Sequence, residues 1–394
     1  MAKEDVVIVG AARTPMGGFQ GALSAMPAPE LGAVAVRAAL DAAQVQGGNV
    51  DEVLMGCVLS AGVGQAPARQ ASLAAGLAIS VPCTTVNKVC GSGMKTAMLA
   101  FDQIKSGSLN VVIAGGMESM SRAPYISETA RSGARLGHAS FKDHMFLDGL
   151  EDAYDKGTLM GVFAEQCAEH YQFSRTQQDD YALRSLSRAL DAQRDGVFET
   201  EIARVVVKTR KGDVAVGHDE QPENARPEKI PTLKPAFRPD GTVTPANSSS
   251  ISDGASALVL ASHAKAAELD LPVRAVIKGH ATFAHEPSWF TTAPIHAANK
   301  LLGHLNWAKD TVDLWEVNEA FAVVAMAFIR DLDLSPNIVN VNGGACALGH
   351  PIGASGNRII VTLLNALEKR DLKRGIAAVC LGGGEATAIA IERP

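Results

Sequence analysis

Apolar and polar positions follow two periods along this chain. Short apolar runs at Val6 to Val9, 52–58, Asn110 to Gly115 and Asp253 to Ala261 read as buried strands. Between them the apolar residues recur at helical spacing. Leu31, Val34, Ala35, Ala38 and Ala39 predict a helix over about 29–43, a second is predicted near 65–77, and Met94, Ala97, Met98, Phe101 and Ile104 predict a third. Strands alternating with helices predict an α/β protein with a mostly parallel sheet covered on both faces. From about 120 to 246 the pattern changes. Residues 121–160 show little periodicity, helices are predicted at 161–171 and 176–194, and 208–241 is polar and proline-rich. This stretch reads as an inserted loop domain.

The order of elements then repeats. Arg274 to Ala281 matches the opening strand, Ala293 to Leu302 matches the helix at 31–40, and Asp313 to Phe321 takes the slot of Glu52 to Ser60. Ile338 to Asn342, the Gly343 to Gly356 loop and a helix at 357–369 match the strand, turn and helix around Cys90, and Ala377 to Thr387 matches Val111 to Met120. Two such halves predict five layers, α-β-α-β-α, with equivalent loops meeting at one face.

Composition narrows the class without naming a chemistry. At 394 residues the chain exceeds one ordinary core. A net charge of −6 with no basic stripe argues against nucleic acid, and no apolar run reaches membrane-spanning length. The six cysteines are scattered without a Cys-x-x-Cys, and the histidines lack zinc-ligand spacing. Thiols kept reduced, no structural metal, and no recognisable leader or C-terminal address give a cytoplasmic expectation.

The candidate chemistry lies on strand-end loops. Cys90 ends a β-prone run, is followed by Gly91 and Gly93, and precedes a helix, so an exposed thiol activated by the helix N-terminus is expected. The alternative is an inert buried cysteine. His350, among glycines before Pro351, is a candidate base for a thiol. Cys380, before Gly382 to Gly384, is either inert or a second proton carrier facing the same cleft. Asn318 is either a helix N-cap or a polarising amide. Two cysteines, a histidine and an asparagine on duplicated loops suit acyl transfer through a thioester.

These residues bring the chain into resemblance with the thiolase family, within it the acetyl-CoA acetyltransferases. The resemblance runs over essentially the whole length through Asn87 to Lys95, Gly115 to Ser121, Asn318 to Phe321, Asn342 to Gly353 and Cys380 to Gly384. It implies the five-layer fold as two halves, 1–120 with 247–272 and 273–394, around a loop domain at 121–246 that serves CoA binding and tetramerisation. It implies reversible condensation of two acetyl-CoA to acetoacetyl-CoA and CoA, in a ping-pong cycle through acyl-Cys90. His350 would be the base and, with Asn318 and a water, bind the thioester oxygen. Cys380 would move the α-proton, and the N–H groups of Cys90 and Gly382 would hold the acyl-enzyme oxygen. Ser249, Leu150, Met160, Phe237, Phe290, Ala320 and Phe321 would contact CoA or the acyl group. CoA thioesters enter as substrates, and no cofactor or metal is implied. The resemblance also implies a homotetramer, a dimer of dimers, with 121–145 matching the family's tetramer-forming loop.

Departures bear on specificity. Leu159 stands where relatives carry a histidine, Phe290 sits near the acyl pocket as in enzymes that also cleave 2-methylacetoacetyl-CoA, and the region of Gln221 lacks the potassium-binding tyrosine. Arg226 or Lys229 would replace a CoA-nucleotide arginine, and Cys346 is expected to pack. The competing readings are a 3-ketoacyl-CoA thiolase for longer or branched chains, a decarboxylating condensing enzyme, disfavoured by Cys380, and a non-catalytic lipid-binding relative.

Overall fold

The computed structural model describes residues 5–394. Nine strands form one continuous path in the order Leu314–Val317, Arg374–Leu381, Glu385–Glu392, Ala275–Ala284, Val6–Arg13, Ser252–Ser262, Val111–Ser119, Glu52–Gly56 and Cys83–Val86, with the short strand Gly17–Gly18 added beside Ser252–Ser262. The two halves meet where Val6, Val7 and Ile8 pair with Ile277, Val276 and Ala275. On either side of that seam the same sequence of pairings is built twice.

Two helices lie between the half-sheets, Ser92–Lys105 and Ile352–Lys369. They pack on each other, and each touches strands of both halves. Every residue of Ile352–Lys369 from Ile352 to Leu367 is buried, as expected of a helix covered all round. Ala28–Ala43 and Pro67–Ala74 cover one outer face through Leu31, Val36, Ala39 and Ala71. Ala293–Leu305 and Ala322–Asp331 cover the other through Ala297, Leu301, Val324 and Phe328. The result is the five-layer arrangement of two duplicated halves.

Three features of the sequence reading need correction. The sheet is mixed rather than mostly parallel. Parallel pairing joins Glu52–Gly56 to Cys83–Val86 and to Val111–Ser119, and Leu314–Val317 to Arg374–Leu381, while the remaining pairings are antiparallel. The tight connection between Arg374–Leu381 and Glu385–Glu392 forces one of these, because parallel neighbours need a long crossover. Second, 338–342 is not a strand. Only Val339 bridges Trp315, and Asn340 enters the left-handed region at φ 49. Its side chain takes over the ladder: Val317 N–H donates to Asn340 Oδ1 (2.7 Å), and Asn340 Nδ2 donates to the Val317 carbonyl (2.8 Å). Third, the last long helix begins at Ile352, and the glycine-rich stretch before it holds a short helix, Ala345–Leu348.

Between Val111–Ser119 and Ser252–Ser262 the chain forms the helices Met160–Tyr171 and Arg175–Arg194 and the hairpin Val205–Thr209 with Gly212–Val216. Ser174 and Gln177 close a reciprocal capping box at the second helix. Buried Arg13 on the first strand fastens this stretch to the core, donating to Glu201 (2.6 Å) and to both oxygens of Asp219 (2.6 and 2.9 Å). Among the described residues no helix is long and apolar enough to cross a membrane.

Candidate active site

The turn that carries Cys90 is held from both sides. Val89 adopts φ 46, a conformation a β-branched residue rarely enters. Its N–H donates to Asn87 Oδ1 (3.0 Å), its carbonyl accepts from Ser92 Oγ (2.6 Å), and Ser92 Oγ accepts from the Lys88 N–H (2.8 Å). The Lys88 ammonium pairs with Glu385 of the other half. The backbone N–H groups of Gly382 and of Cys90 itself face the Cys90 sulfur. The expected exposed thiolate is not present. Cys90 is half-buried, and burial pushes its thiol up to about 12, aided by the nearby Glu118 charge and opposed by the two N–H groups. Two oriented N–H dipoles do not offset the loss of solvent.

His350 is buried against the start of the central helix. Ser355 Oγ donates to the Pro351 carbonyl (2.9 Å), so at 2.5 Å from His350 Nδ1 it accepts the ring proton. That fixes the tautomer, with the proton on Nδ1 and Nε2 left as an acceptor. Burial, then the charge of Arg358, lowers the imidazole to about 3, so it rests neutral. The Cys90 thiol and the His350 imidazole are therefore both neutral at rest. Ser355→Ala should lower kcat by about 10- to 100-fold, because a buried N–H left unpaired costs about 1–3 kcal/mol and the ring loses its orientation. Ser355→Thr should restore most of the rate. Steady-state kinetics of both variants, with thermal midpoints measured alongside, check this.

Asn318 is fully buried on the far side of His350, with Nδ2 at 3.4 Å from Nε2. It does not cap a helix. The following helix starts at Ala322 without a side-chain cap, and Asn318 Oδ1 has no hydrogen-bond partner among the described residues. Cys380 is fully buried near the end of Arg374–Leu381. Burial and the neighbouring Cys90 hold its thiol well above the ordinary range.

Cys90, His350, Cys380 and Gly382 open into one cavity of about 390 Å³. Its other walls include Leu150, Met160, Phe237, Ser249, Phe290, Ala320 and Phe321, so the sequence-derived acyl and CoA candidates converge there. Gly161 makes room for one wall, since a Cβ there would lie 2.3 Å from the Phe237 ring. The Phe321 ring meets Phe237 edge-on at 5.9 Å and Phe290 at 6.3 Å, and Phe290 is buried. Ser249 Oγ donates to the Ala320 carbonyl (2.9 Å), which leaves its lone pairs to accept from a ligand N–H.

Arg226 and Lys229 do not reach this cavity. They line a neighbouring one of about 330 Å³ that shares Pro245 and Ser250 with it. Cys346 lines that second cavity, and its N–H donates to buried Glu319 (3.0 Å). Residues the sequence reading missed include Ser355, visible only once its hydroxyl is seen under His350, and Phe146, Gly149 and Ile352, which line the cavity as well. Phe146 and Gly149 come from a π-helical turn, Phe146–Leu150, in a stretch without readable periodicity. No cluster of three or more His, Cys, Asp or Glu suited to a metal occurs among the described residues.

Comparison with known proteins gives consistent relatives. The family "Thiolase, N-terminal domain" matches residues 6–264, and "Thiolase, C-terminal domain" matches 271–393. Acetyl-CoA acetyltransferase 2 of Arabidopsis thaliana is 53% identical, covering 98% of this chain and 97% of its own. The Schizosaccharomyces pombe acetyl-CoA acetyltransferase is 48% identical over 100% of both chains. Among solved structures, Acat5 thiolase from Ascaris suum in complex with coenzyme A superposes with a TM-score of 0.93 at 42% identity, covering 99% of this chain and 100% of that one.

Proposed function

We propose, from the premise that this chain belongs to the thiolase family, that it is an acetyl-CoA C-acetyltransferase, joining two acetyl-CoA into acetoacetyl-CoA and CoA and running the reverse thiolysis. The observation that carries the reading is the convergence of Cys90, His350, Cys380 and Gly382 on one apolar cavity.

In the first half-reaction Cys90 Sγ attacks the thioester carbonyl as its proton passes to His350 Nε2. The C–S bond to CoA then breaks, and the imidazolium returns the proton to the leaving thiolate. In the second, His350 Nε2 takes the Cys380 thiol proton, and the resulting thiolate takes a methyl proton from another acetyl-CoA. The enolate oxygen is held by the now protonated His350 Nε2 and by the Asn318 side-chain amide. Its carbon attacks the acetyl-Cys90 carbonyl, whose oxygen lies against the Cys90 and Gly382 N–H groups. The Cys90–acyl bond breaks, and His350 Nε2 returns its proton to the Cys90 sulfur, so both thiols end protonated. Two acetyl-CoA are consumed, and one acetoacetyl-CoA and one CoA leave.

Ser249 would bind the pantetheine, with Leu150, Met160, Phe237, Ala320 and Phe321 packing along it. Arg226 and Lys229, exposed beside the adjoining cavity, would meet the nucleotide phosphates. Phe290 closes the apolar end against Phe321, which favours a short acyl chain. Tyr125, Leu136 and Phe141 are exposed apolar side chains within or beside 121–145, which supports a tetramer built through that segment, and a cytoplasmic site remains part of the proposal.

Comparison of kcat/KM for thiolysis of acetoacetyl-, 2-methylacetoacetyl- and 3-ketohexadecanoyl-CoA tests the substrate class. The expected order places acetoacetyl-CoA at least about tenfold ahead of the long chain, the discrimination a closed apolar pocket supplies. Activity concentrated on the long chain would replace the short-chain reading with a degradative 3-ketoacyl-CoA thiolase.

A further inference from the structure

The mechanism above makes no use of Glu118, a carboxylate with no exposure at the end of strand Val111–Ser119. Its two oxygens are filled by donors from both halves. Oε2 accepts from the N–H groups of Val58 (3.0 Å) and Gly353 (2.9 Å), and Oε1 accepts from the Leu59 N–H (3.1 Å), with the Cys57 thiol at 3.7 Å. Val58 and Leu59 follow strand Glu52–Gly56 of the first half, whereas Gly353 lies three residues after His350 in the second.

The Gly353 carbonyl enters a complementary socket. A Cβ on Gly56, Gly93 or Gly116 would stand 2.8, 3.0 or 2.1 Å from that oxygen. A Cβ on Gly353 itself would stand 2.7 Å from Glu118 Oε2 and 2.8 Å from the Met117 carbonyl. Three glycines of the first half and one of the second thus bring two backbones into direct contact, with the carboxylate receiving the adjacent N–H. Gly93 belongs to the turn of helix that begins beside Cys90, so this contact lies between the loop of the nucleophile and the loop of the base.

We infer that Glu118 and the Gly56–Gly93–Gly116 socket are a docking device that positions His350 against Cys90, with Glu118 a positioning residue that acts through the Gly353 N–H and touches no substrate. The inference rests on the acyl-transfer reading for its rate measurements. A carboxylate is suited to the task because all of its facing partners are donors. An amide in its place turns an N–H₂ toward N–H groups and gives up one of the docking bonds. The titratable groups near it are the thiols of Cys57 and Cys90, and its charge raises both. Burial raises Glu118 itself to about 7 against the pull of the three N–H groups.

Two readouts on Glu118→Gln should move in opposite directions. Released from its docking bond, the His350 loop shifts, and kcat for acetyl transfer should fall by about 10- to 100-fold, the range a misplacement near 1 Å produces, with KM for acetyl-CoA within about twofold. Alkylation of Cys90 by iodoacetamide at pH 8 should become severalfold faster, because the carboxylate charge that raised the thiol is gone. A structural lesion alone would not lower turnover while speeding alkylation at an unchanged thermal midpoint. Gly353→Ala approaches the same contact from the other side and keeps the charge, so it should lower kcat without speeding alkylation. Unchanged kcat in either folded variant, or failure of both to fold, would overturn the inference. Absence of acetyl transfer in the unaltered protein would refute the reaction instead, and the alkylation comparison would still test the charge at Glu118.

Discussion

Cys90→Ala should transfer no acetyl group, and its intact mass should be unchanged after mixing with acetyl-CoA, whereas the unaltered protein gains one acetyl. The size of the effect follows from what the side chain supplies. Without sulfur there is no atom to carry the acyl group, and the ping-pong cycle has no first product. Nothing nearby is a substitute. Cys380 faces the same cavity, but burial and the proximity of Cys90 hold its thiol well above the ordinary range. His350 Nε2 points to Asn318 at 3.4 Å and rests neutral, which suits a base better than an acyl carrier. Because the hydrogen bonds that hold the Cys90 turn run through Asn87, Lys88, Val89 and Ser92, the variant should fold with a thermal midpoint close to that of the unaltered chain. An acetylated Cys90→Ala protein would refute the assignment of the nucleophile.

The contrast between what the sequence announced and what it hid has a physical basis. The duplicated order of elements was readable because each half must bury the same faces, and burial writes itself as periodicity. The cavity walls contributed by Ser249, Phe290 and Phe321 followed from the resemblance to the thiolase family rather than from periodicity. The protonation state of Cys90 did not. A helix N-terminus is visible in a sequence and predicts a lowered pKa, but desolvation depends on what the other half places over the sulfur, and it acts in the opposite direction. Asn340 shows the same limit at the level of the fold. Its run of apolar neighbours reads as a strand, yet its amide replaces the backbone pairing that a strand would make. Glu118 carried no local sign of its role because its partners, Val58, Leu59 and Gly353, are separated along the chain and meet only when the halves close. Contacts between halves are where a single sequence says least, and here they join the segment after Cys57 to the segment after His350.

Cys380→Ser separates the two half-reactions. The variant should still acquire an acetyl group on Cys90 at close to the ordinary rate, since attack and proton transfer there use Cys90, His350 and the N–H groups of Cys90 and Gly382. Condensation should fall by about 10³-fold, within the range of about 10² to 10⁴ that a positioned acid or base contributes. The reason is the acidity of the two groups. A thiol, even one raised by burial, exchanges its proton far more readily than an alcohol in the same dry position, and serine puts a weaker proton carrier at the end of the same strand. The substituted oxygen is smaller than sulfur, so the site is not overfilled, and the N–H groups near Cys90 keep their positions on the Gly382 turn. Deuterium incorporation into the methyl group of acetyl-CoA in heavy water isolates the step from carbon–carbon bond formation. The unaltered enzyme should exchange those protons, and Cys380→Ser should not, while both show the acetyl mass increment. Exchange at an undiminished rate in the variant would remove Cys380 from proton transfer and pass the task to His350, which lines the same cavity.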